Sequence, residues 1–298
     1  MDLKLGINTG FALNRYIEPE VWGQIVGEEL NLHSVQLTAS LLNPFWDDVY
    51  LVSLMKRIKN SSKRYGFSID SVFTDAYTRV NHLANPDEYS RKMWLDWFKK
   101  LFSMAAELGA VSGGSHFGIM TFDSYDNADK RSRTVDACVK GWQQLSKYAK
   151  EIGFEYLIFE PMSVPREFGC TIADTKELLE LVNTDCGVPM KVCLDVGHAP
   201  HPDERDCYSW IRQLGSLSPI IHIQQTQLNH SNHWPFTDEY NQQGYITAEQ
   251  VIECLQESGC EKAALVFELS HREHWDTDFR IIDDHKASVD YWRKYVEE

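Results

Sequence analysis

Residues 156–160 have the sequence YLIFE and residues 264–268 have the sequence ALVFE, so two apolar runs each end in a glutamate. Two further apolar runs lie between them, VCLDVGH at 192–198 and IIHIQQ at 220–225. Each run has the length and composition of a buried strand. If these strands are neighbours in a parallel barrel, their polar side chains meet at one mouth of it, where such barrels hold their active sites. The side chains in question are Glu160, Asp195, His222 and Glu268.

The rest of the chain alternates strand-like and helix-like segments, which is typical of stacked βα units. Four earlier apolar runs, at 5–8, 34–37, 67–72 and 110–114, bring the number of predicted strands to eight. Predicted helices follow near 18–26, 51–58, 87–108, 127–152, 171–182, 206–214, 247–257 and 284–296. A length of 298 residues matches a TIM barrel of roughly 250 residues with some longer loops. The sequence therefore predicts an α/β fold, a single (β/α)8 TIM-barrel catalytic domain over residues 1–298.

Composition limits the partners and the location of the protein. A formal net charge of -15 argues against nucleic acid, because binding DNA requires clusters of Lys and Arg that neutralise its phosphates. One small phosphorylated metabolite remains open, since a single phosphate needs only a few N–H donors or one arginine. No apolar run approaches the roughly 20 residues that span a bilayer, and no signal-peptide pattern is present. We expect a cytoplasmic protein with free thiols, no membrane partner and no nucleic-acid partner.

Each of the four polar residues has an ordinary structural explanation when it is considered alone. Glu160 and Glu268 could be solvated strand ends, Asp195 could belong to a turn, and His222 could be a hydrogen-bonded core histidine. Those explanations do not account for four such residues at equivalent places in four successive units. We therefore predict that they bind one divalent metal ion. Three carboxylates with one imidazole favour Mn²⁺, with Mg²⁺, Co²⁺ and Zn²⁺ as alternatives.

These residues resemble those of the xylose-isomerase-like TIM-barrel sugar and sugar-phosphate isomerases and epimerases, which include the tagatose 3-epimerases. The resemblance implies that the same four residues hold a divalent metal, and that His198 in the run DVGH binds substrate. The motifs FEPMSVPRE at 159–167 and HWPFT at 233–237 look most like the tetrulose-phosphate branch, the erythrulose 1-phosphate 3-epimerases. The family resemblance also allows a homo-oligomer.

The chemistry expected of such a site is proton transfer beside a ketone. That reaction needs a base at the carbon and a cation beside the oxygen on which charge develops, giving an enediolate. We predict epimerisation or isomerisation of a small ketose or ketose phosphate, in which Glu160 and Glu268 are the catalytic residues on opposite faces. A metal-dependent sugar or inosose dehydratase is the alternative. An AP endonuclease-like phosphodiesterase would need further His ligands and a basic groove, and a non-catalytic sugar-binding barrel is a minor option.

Further substrate contacts are predicted around the metal. His198 is one, although it could instead cap the next helix from the barrel rim. Gln224 and Gln225 alternate along their strand, so parity favours Gln224 for the inside, whereas a bulge could present Gln225. Asn8, at the end of the first strand, is a candidate by position. His116 is predicted to line the pocket.

Two further segments, 112–115 and 226–245, have a predicted role near the site. The run SGGS at 112–115 is predicted to form a glycine turn, which could bind a phosphate through backbone N–H groups or be a plain tight turn. The connection at 226–245 is unusually long for a compact domain and contains His230, His233, Trp234 and Phe236. We expect an ordered lid there, with a polar surface loop as the alternative.

Overall fold

The computed structural model describes residues 1–198 and 202–296. Eight parallel strands form a closed barrel in chain order, and the last strand pairs with the first. The strands are β1 (Asp2–Asn8), β2 (Ser34–Thr38), β3 (Ser68–Phe73), β4 (Ser112–His116), β5 (Tyr156–Glu160), β6 (Met190–Asp195), β7 (Ile220–Ile223) and β8 (Lys262–Phe267). The predicted (β/α)8 barrel is confirmed.

Helices pack around the outside of the barrel. They are α1 (Pro19–Gln24), α2 (Asp48–Tyr65), α3 (Glu88–Glu107), α4 (Phe122–Asp126), α5 (Ala128–Glu151), α6 (Ile172–Asn183), α7 (Cys207–Leu214), α8 (Asp238–Asn241), α9 (Ala248–Glu257), α10 (Trp275–Asp278) and α11 (Ile281–Arg293). Side-chain caps fix several starts: Asp47, Thr171 and Asp206 each accept a hydrogen bond from a backbone N–H group in the first turn of the following helix. No helix in the described ranges has the length and apolar character that crossing a bilayer requires.

Apolar side chains form two separate cores. The larger one lies between the strands and the helices, and the smaller one fills the barrel interior with Phe73, Ile158, Cys193, Ile220, Ala264 and Val266. Because side chains alternate along a strand, the residue two positions further on also faces the interior. The four predicted metal ligands lie two positions beyond Ile158, Cys193, Ile220 and Val266. The seven cysteines are all free thiols, as expected.

The predicted glycine turn at 112–115 is wrong. Gly113 and Gly114 lie inside β4 and pair with Leu157 and Ile158 of β5. Position 114 has no room for a side chain, because a Cβ on Gly114 would lie 1.9 Å from the carbonyl oxygen of Ile158. Backbone N–H groups within a sheet are used by the ladder, so this segment does not form a phosphate cradle. The glycines let β4 pack closely, and the strand continues to His116.

The substitution Gly114→Ala tests this close approach. We expect it to lower the free energy of unfolding by about 3 kcal/mol or more, the upper end of the cost of overpacking, because the strands must separate. Gly259→Ala is the matched control, since Gly259 has a φ of 76° but no atom within 4 Å of the added Cβ. Gly259→Ala should lower the free energy of unfolding by only about 1 to 2 kcal/mol, because an L-residue is strained at a positive φ. Urea unfolding measures both, and equal losses would contradict the packing argument.

Candidate metal centre

The four residues predicted to bind metal lie together at the carboxyl end of the barrel. One donor atom from each of Glu160, Asp195, His222 and Glu268 lies within 4.8 Å of the others. They come from four adjacent strands or strand ends, and the register places Asp195 opposite His222. The three on β5, β6 and β7 are buried, and Glu268 is half-buried.

His222 presents one ring nitrogen to the carboxylates. Its Nδ1 atom lies 3.3 Å from Glu160 Oε1 and 3.2 Å from Glu268 Oε2. Its Nε2 atom lies 2.8 Å from the side-chain oxygen Oε1 of Gln36, which also accepts a hydrogen bond from Asn8. An amide oxygen only accepts, so Nε2 carries a hydrogen and Gln36 fixes the orientation of the ring, with Nδ1 towards the carboxylates. Burial by itself lowers the pKa of His222, but nearby acidic groups, Glu268 among them, outweigh it and raise the pKa well above its usual value, so a cation at Nδ1 would take the place of a proton.

Asp195 is held from two sides. Its Oδ1 atom accepts the Gly197 backbone N–H at 2.5 Å, and Gln224 Nε2 lies 2.9 Å from both of its oxygens. The side-chain oxygen Oε1 of Gln224 accepts a hydrogen bond from the backbone N–H of His233 at 2.6 Å. Gln224 thus lies on the inside of the barrel, as parity predicts, and links Asp195 to the connection at 226–245. Contact between Gln224 and substrate stays a prediction.

The predicted substrate contact of Gln225 is wrong. Its Nε2 atom donates to Asn241 and to the carbonyl oxygen of Ile246, and its Oε1 atom accepts the backbone N–H groups of Thr226 and Ile246. These partners lie outside the barrel, because neighbouring side chains of a strand point to opposite faces. Gln225 holds the end of the long connection.

A cavity of about 520 Å³ opens at this mouth, and Asn8, His116 and His198 line it together with Glu160 and Glu268. The cavity brings three predicted substrate contacts beside the predicted metal ligands, and their contact with substrate stays a prediction. Apolar side chains complete part of the wall, including Phe11, Phe73, Met162 and Leu269.

His198 lies beside two of the predicted ligands, Glu160 and Asp195. Its Nδ1 atom is 3.5 Å from Glu160 Oε1, is buried, and has no hydrogen-bond partner among the described residues. The alternative role of His198 as the cap of the next helix is wrong, because Asp206 caps α7. Burial by itself lowers the pKa of His198, but Asp195, Glu160 and Glu268 outweigh it and raise the pKa above its usual value.

His116 is fixed as a neutral imidazole. Its Nε2 atom lies 2.9 Å from the carbonyl oxygen of Val80 and its Nδ1 atom 3.1 Å from the hydroxyl of Ser115. Burial lowers its pKa to about 3. Asn8 is equally constrained, since its amide oxygen accepts the backbone N–H of Gly10 while its nitrogen donates to Gln36.

The connection at 226–245 is ordered, as predicted. An antiparallel bridge joins Gln225 and Trp234, and the ring of Phe236 stacks on Tyr291 outside the barrel. Of the four His and aromatic residues named in this segment, His233 lines the cavity, and its Nδ1 atom lies 3.0 Å from the carbonyl oxygen of Glu268. Movement of the segment as a lid stays a prediction.

The charges of the four residues favour a cation among them. Burial alone would raise the pKa of Glu268, but the nearby imidazoles of His222, His233 and His198 lower it, so its carboxylate is ionised. Three carboxylates this close repel one another, and a divalent cation offsets that repulsion while binding Nδ1 of His222 in place of its proton. The donor set therefore fits the predicted divalent metal.

Comparison with known proteins places the chain in a family. The model of the xylose isomerase-like TIM barrel family matches residues 27–295. The chain belongs to this family. A curated protein from Brucella abortus (strain 2308), D-erythrulose 1-phosphate 3-epimerase, is 32% identical over 302 residues, which cover 100% of this chain and 97% of that protein. The resemblance stated from the sequence is confirmed.

Solved structures agree on the fold. A protein from Rhodospirillum rubrum ATCC 11170, provisionally described as a xylose isomerase, is 25% identical, with a TM-score of 0.89 over 98% of this chain and 99% of that chain. D-Psicose 3-epimerase from Clostridium cellulolyticum H10 is 16% identical, with a TM-score of 0.74 over 99% of both chains. At that identity the second likeness shows only a common barrel.

The cavity also contains three arginines that are not among the predicted site residues. Arg15, Arg79 and Arg272 line the cavity, and each lies in a loop that follows a strand. The position of the three arginines in the sequence indicates a place at the active site, because loops after the strands of a TIM barrel face it. Those loops contain no recognisable motif, so position is the only sequence feature that points to these arginines.

Metal binding by the four residues is directly measurable. We expect the protein to bind one Mn²⁺ per chain by isothermal titration calorimetry, and Asp195→Asn to abolish the binding signal because it removes a charged ligand. The exposed Asp185 provides the control Asp185→Asn, which should bind as the parent protein does. Undiminished binding by Asp195→Asn, with both variants shown to be folded by thermal melting, would contradict the site.

The role of Gln224 gives a graded effect. Gln224→Leu should lower the Mn²⁺ affinity about 10- to 100-fold without changing the stoichiometry, because Asp195 loses the partner that orients it. Gln213→Leu, at an exposed position of α7, should leave the affinity unchanged. Equal affinities for the two variants would show that Gln224 does not position the ligand.

Proposed function

We propose that this protein is a divalent-metal-dependent epimerase of a small ketose phosphate, with erythrulose 1-phosphate as the leading candidate substrate. The observation that carries the proposal is the presence of two glutamates, Glu160 and Glu268, in a metal-type donor set at the wall of a substrate-sized cavity. The full-length similarity to a curated epimerase supports the substrate class.

Proton transfer is assigned to the two glutamates. Glu160 lies at the end of β5 and Glu268 directly after β8, and both line the cavity. In the proposal one carboxylate removes the proton from the carbon beside the ketone, and the other delivers a proton to the opposite face, which inverts the carbon. When bound, a divalent ion supplies positive charge beside the oxygen on which negative charge develops.

The surrounding residues assist by position and by excluding water. His198 lies beside Glu160, where its unpartnered Nδ1 atom is available to a substrate oxygen, and His233 lies beside Glu268. Phe73 and Leu269 give the cavity apolar surface next to the carboxylates. A drier site strengthens the interactions of both bases with the reacting carbon.

The remaining parts of the proposal follow from the sequence. Mn²⁺ is the preferred ion, the substrate is a small sugar phosphate, and the protein acts in the cytoplasm without a nucleic-acid or membrane partner. A dehydratase on the same barrel is the alternative that the experiment must separate.

Reaction in deuterated water tests the proposal. The Mn²⁺-loaded protein, incubated with ketoses and ketose phosphates, should incorporate one deuterium at carbon 3 of erythrulose 1-phosphate and produce both epimers, as shown by NMR and chiral analysis. A product lighter by one water would identify a dehydratase. An aldose product would identify an aldose–ketose isomerase, and absence of exchange in the whole panel would refute the proposal.

Glutamine substitutions test the two bases. At saturating Mn²⁺, Glu160→Gln and Glu268→Gln should each lower the epimerisation rate about 10² to 10⁴-fold, because one proton transfer is lost. Each variant should still exchange the proton of one epimer through the remaining base, and the two variants should act on opposite epimers. Glu155→Gln, at an exposed position before β5, should leave the rate unchanged. Full activity in both site variants would reject the two-base scheme.

A further inference from the structure

The cavity has a second polar side, formed by the three arginines Arg15, Arg79 and Arg272. They lie in the loops that follow β1, β3 and β8, whereas the predicted metal ligands lie at the ends of β5 to β8. In a closed barrel with the strand order of the chain, β1 and β3 stand across the mouth from β5 and β7. The loops that carry Arg15 and Arg79 therefore begin across the mouth from the ends of β5 and β7.

Hydrogen bonds join the three loops into one continuous rim. Arg15 donates from Nε to Asp278 at 2.5 Å and from a terminal nitrogen to the carbonyl oxygen of His271 at 2.7 Å. Asn14 donates to the hydroxyl of Tyr77 at 2.9 Å and to Glu273 at 3.2 Å. The loops after β1, β3 and β8 thus hold one another, and we call Arg15, Arg79 and Arg272 the arginine rim.

The arginines of the rim differ in their partners. Arg15 is paired with Asp278, and Arg79 donates to the buried carboxylate of Glu167. The guanidinium of Arg272 has no hydrogen bond or ion pair within the described residues, although the chain carries a net charge of -15. A positive charge without a partner at the cavity wall is available to an anionic ligand.

Two carboxylates from the same loops, Asp75 and Glu273, also line the cavity, and both accept hydrogen bonds from other protein groups. Asp75 accepts hydrogen bonds from the backbone N–H and the hydroxyl of Ser40 and from the backbone N–H of Tyr77. Glu273 accepts from Asn14. The guanidinium groups bring positive charge and paired N–H donors to this cavity, and both suit a phosphate.

We propose that the arginine rim binds the phosphate group of the substrate, with Arg272 as the principal contact. This assignment deepens the proposed function and rests on it, because it places the phosphate of a ketose phosphate at the arginine rim of the cavity that also contains the two glutamates. A phosphate carries about -1.5 to -2 charge at neutral pH and accepts two parallel hydrogen bonds from one guanidinium. The rim would thereby select phosphorylated over free ketoses.

Arg272→Ala and Arg272→Lys test the assignment with little risk to folding, because the guanidinium has no protein partner within the described residues. We expect Arg272→Ala to lower kcat/KM for erythrulose 1-phosphate about 10- to 100-fold, as for loss of hydrogen bonds to a charged group. The value for unphosphorylated erythrulose should not change. The kcat/KM of Arg272→Lys for erythrulose 1-phosphate should lie between the values of the parent protein and Arg272→Ala, because lysine keeps the charge but not the paired donors.

Arg57→Ala is the matched control, because Arg57 is a half-buried arginine on α2 that pairs with Glu20 and does not line the cavity. It should leave both kcat/KM values unchanged. Equal losses for the phosphorylated and the free ketose in Arg272→Ala, or no loss for either, would overturn the inference. A parent protein that prefers the free ketose would also overturn it, while leaving the epimerase function intact.

Binding of inorganic phosphate separates this inference from the proposed function. Calorimetric titration of the Mn²⁺-loaded protein should show phosphate binding that Arg272→Ala weakens by a similar factor and Arg57→Ala does not. This measurement needs no turnover, so it remains decisive if no ketose or ketose phosphate exchanges deuterium. Equal phosphate affinity in the parent protein and Arg272→Ala would refute the subsite.

Discussion

The crowding of three carboxylates at one mouth of the barrel is the constraint on which the rest of the site depends. Glu160, Asp195 and Glu268 bring donor atoms within 4.8 Å of one another and of His222, an arrangement that is unfavourable without positive charge. The protein holds these groups through neutral partners. Gln36 and Gln224 orient His222 and Asp195 without neutralising the carboxylates, so the negative charge is left for a cation.

Closure of the barrel makes that crowding possible. The small interior core ends one layer below the ligands, and the alternation of side chains lifts the next residue of each strand into the mouth. Gly113 and Gly114 allow β4 to approach its neighbours, so that His116 stands level with Glu160 in the register of the sheet. The chain of contacts from Asn8 through Gln36 to His222 then connects β1 and β2 with β7 across the interior.

The cavity combines opposite charges in a protein that is acidic overall. Carboxylates stand at the ends of β5, β6 and β8, and arginines stand in loops after β1, β3 and β8. A substrate that carries both a ketone and a phosphate matches this combination of charges better than a neutral sugar does. Hydrogen bonds join the loops after β1, β3 and β8 to one another, so the arginine side of the cavity is held together as one unit.

The sequence by itself determined the eight strands, the closed barrel and the cluster of Glu160, Asp195, His222 and Glu268, because apolar period and strand-end position are local properties that every βα unit repeats. It also placed Gln224 inside, since parity follows directly from the strand. Only the tertiary structure decided that β4 continues past Gly113 and Gly114 to His116, that Gln225 anchors a loop, and that three arginines share one rim. Those outcomes depend on how far apart neighbouring strands lie and on which loops meet, and contacts between distant segments leave no periodic signal in the chain.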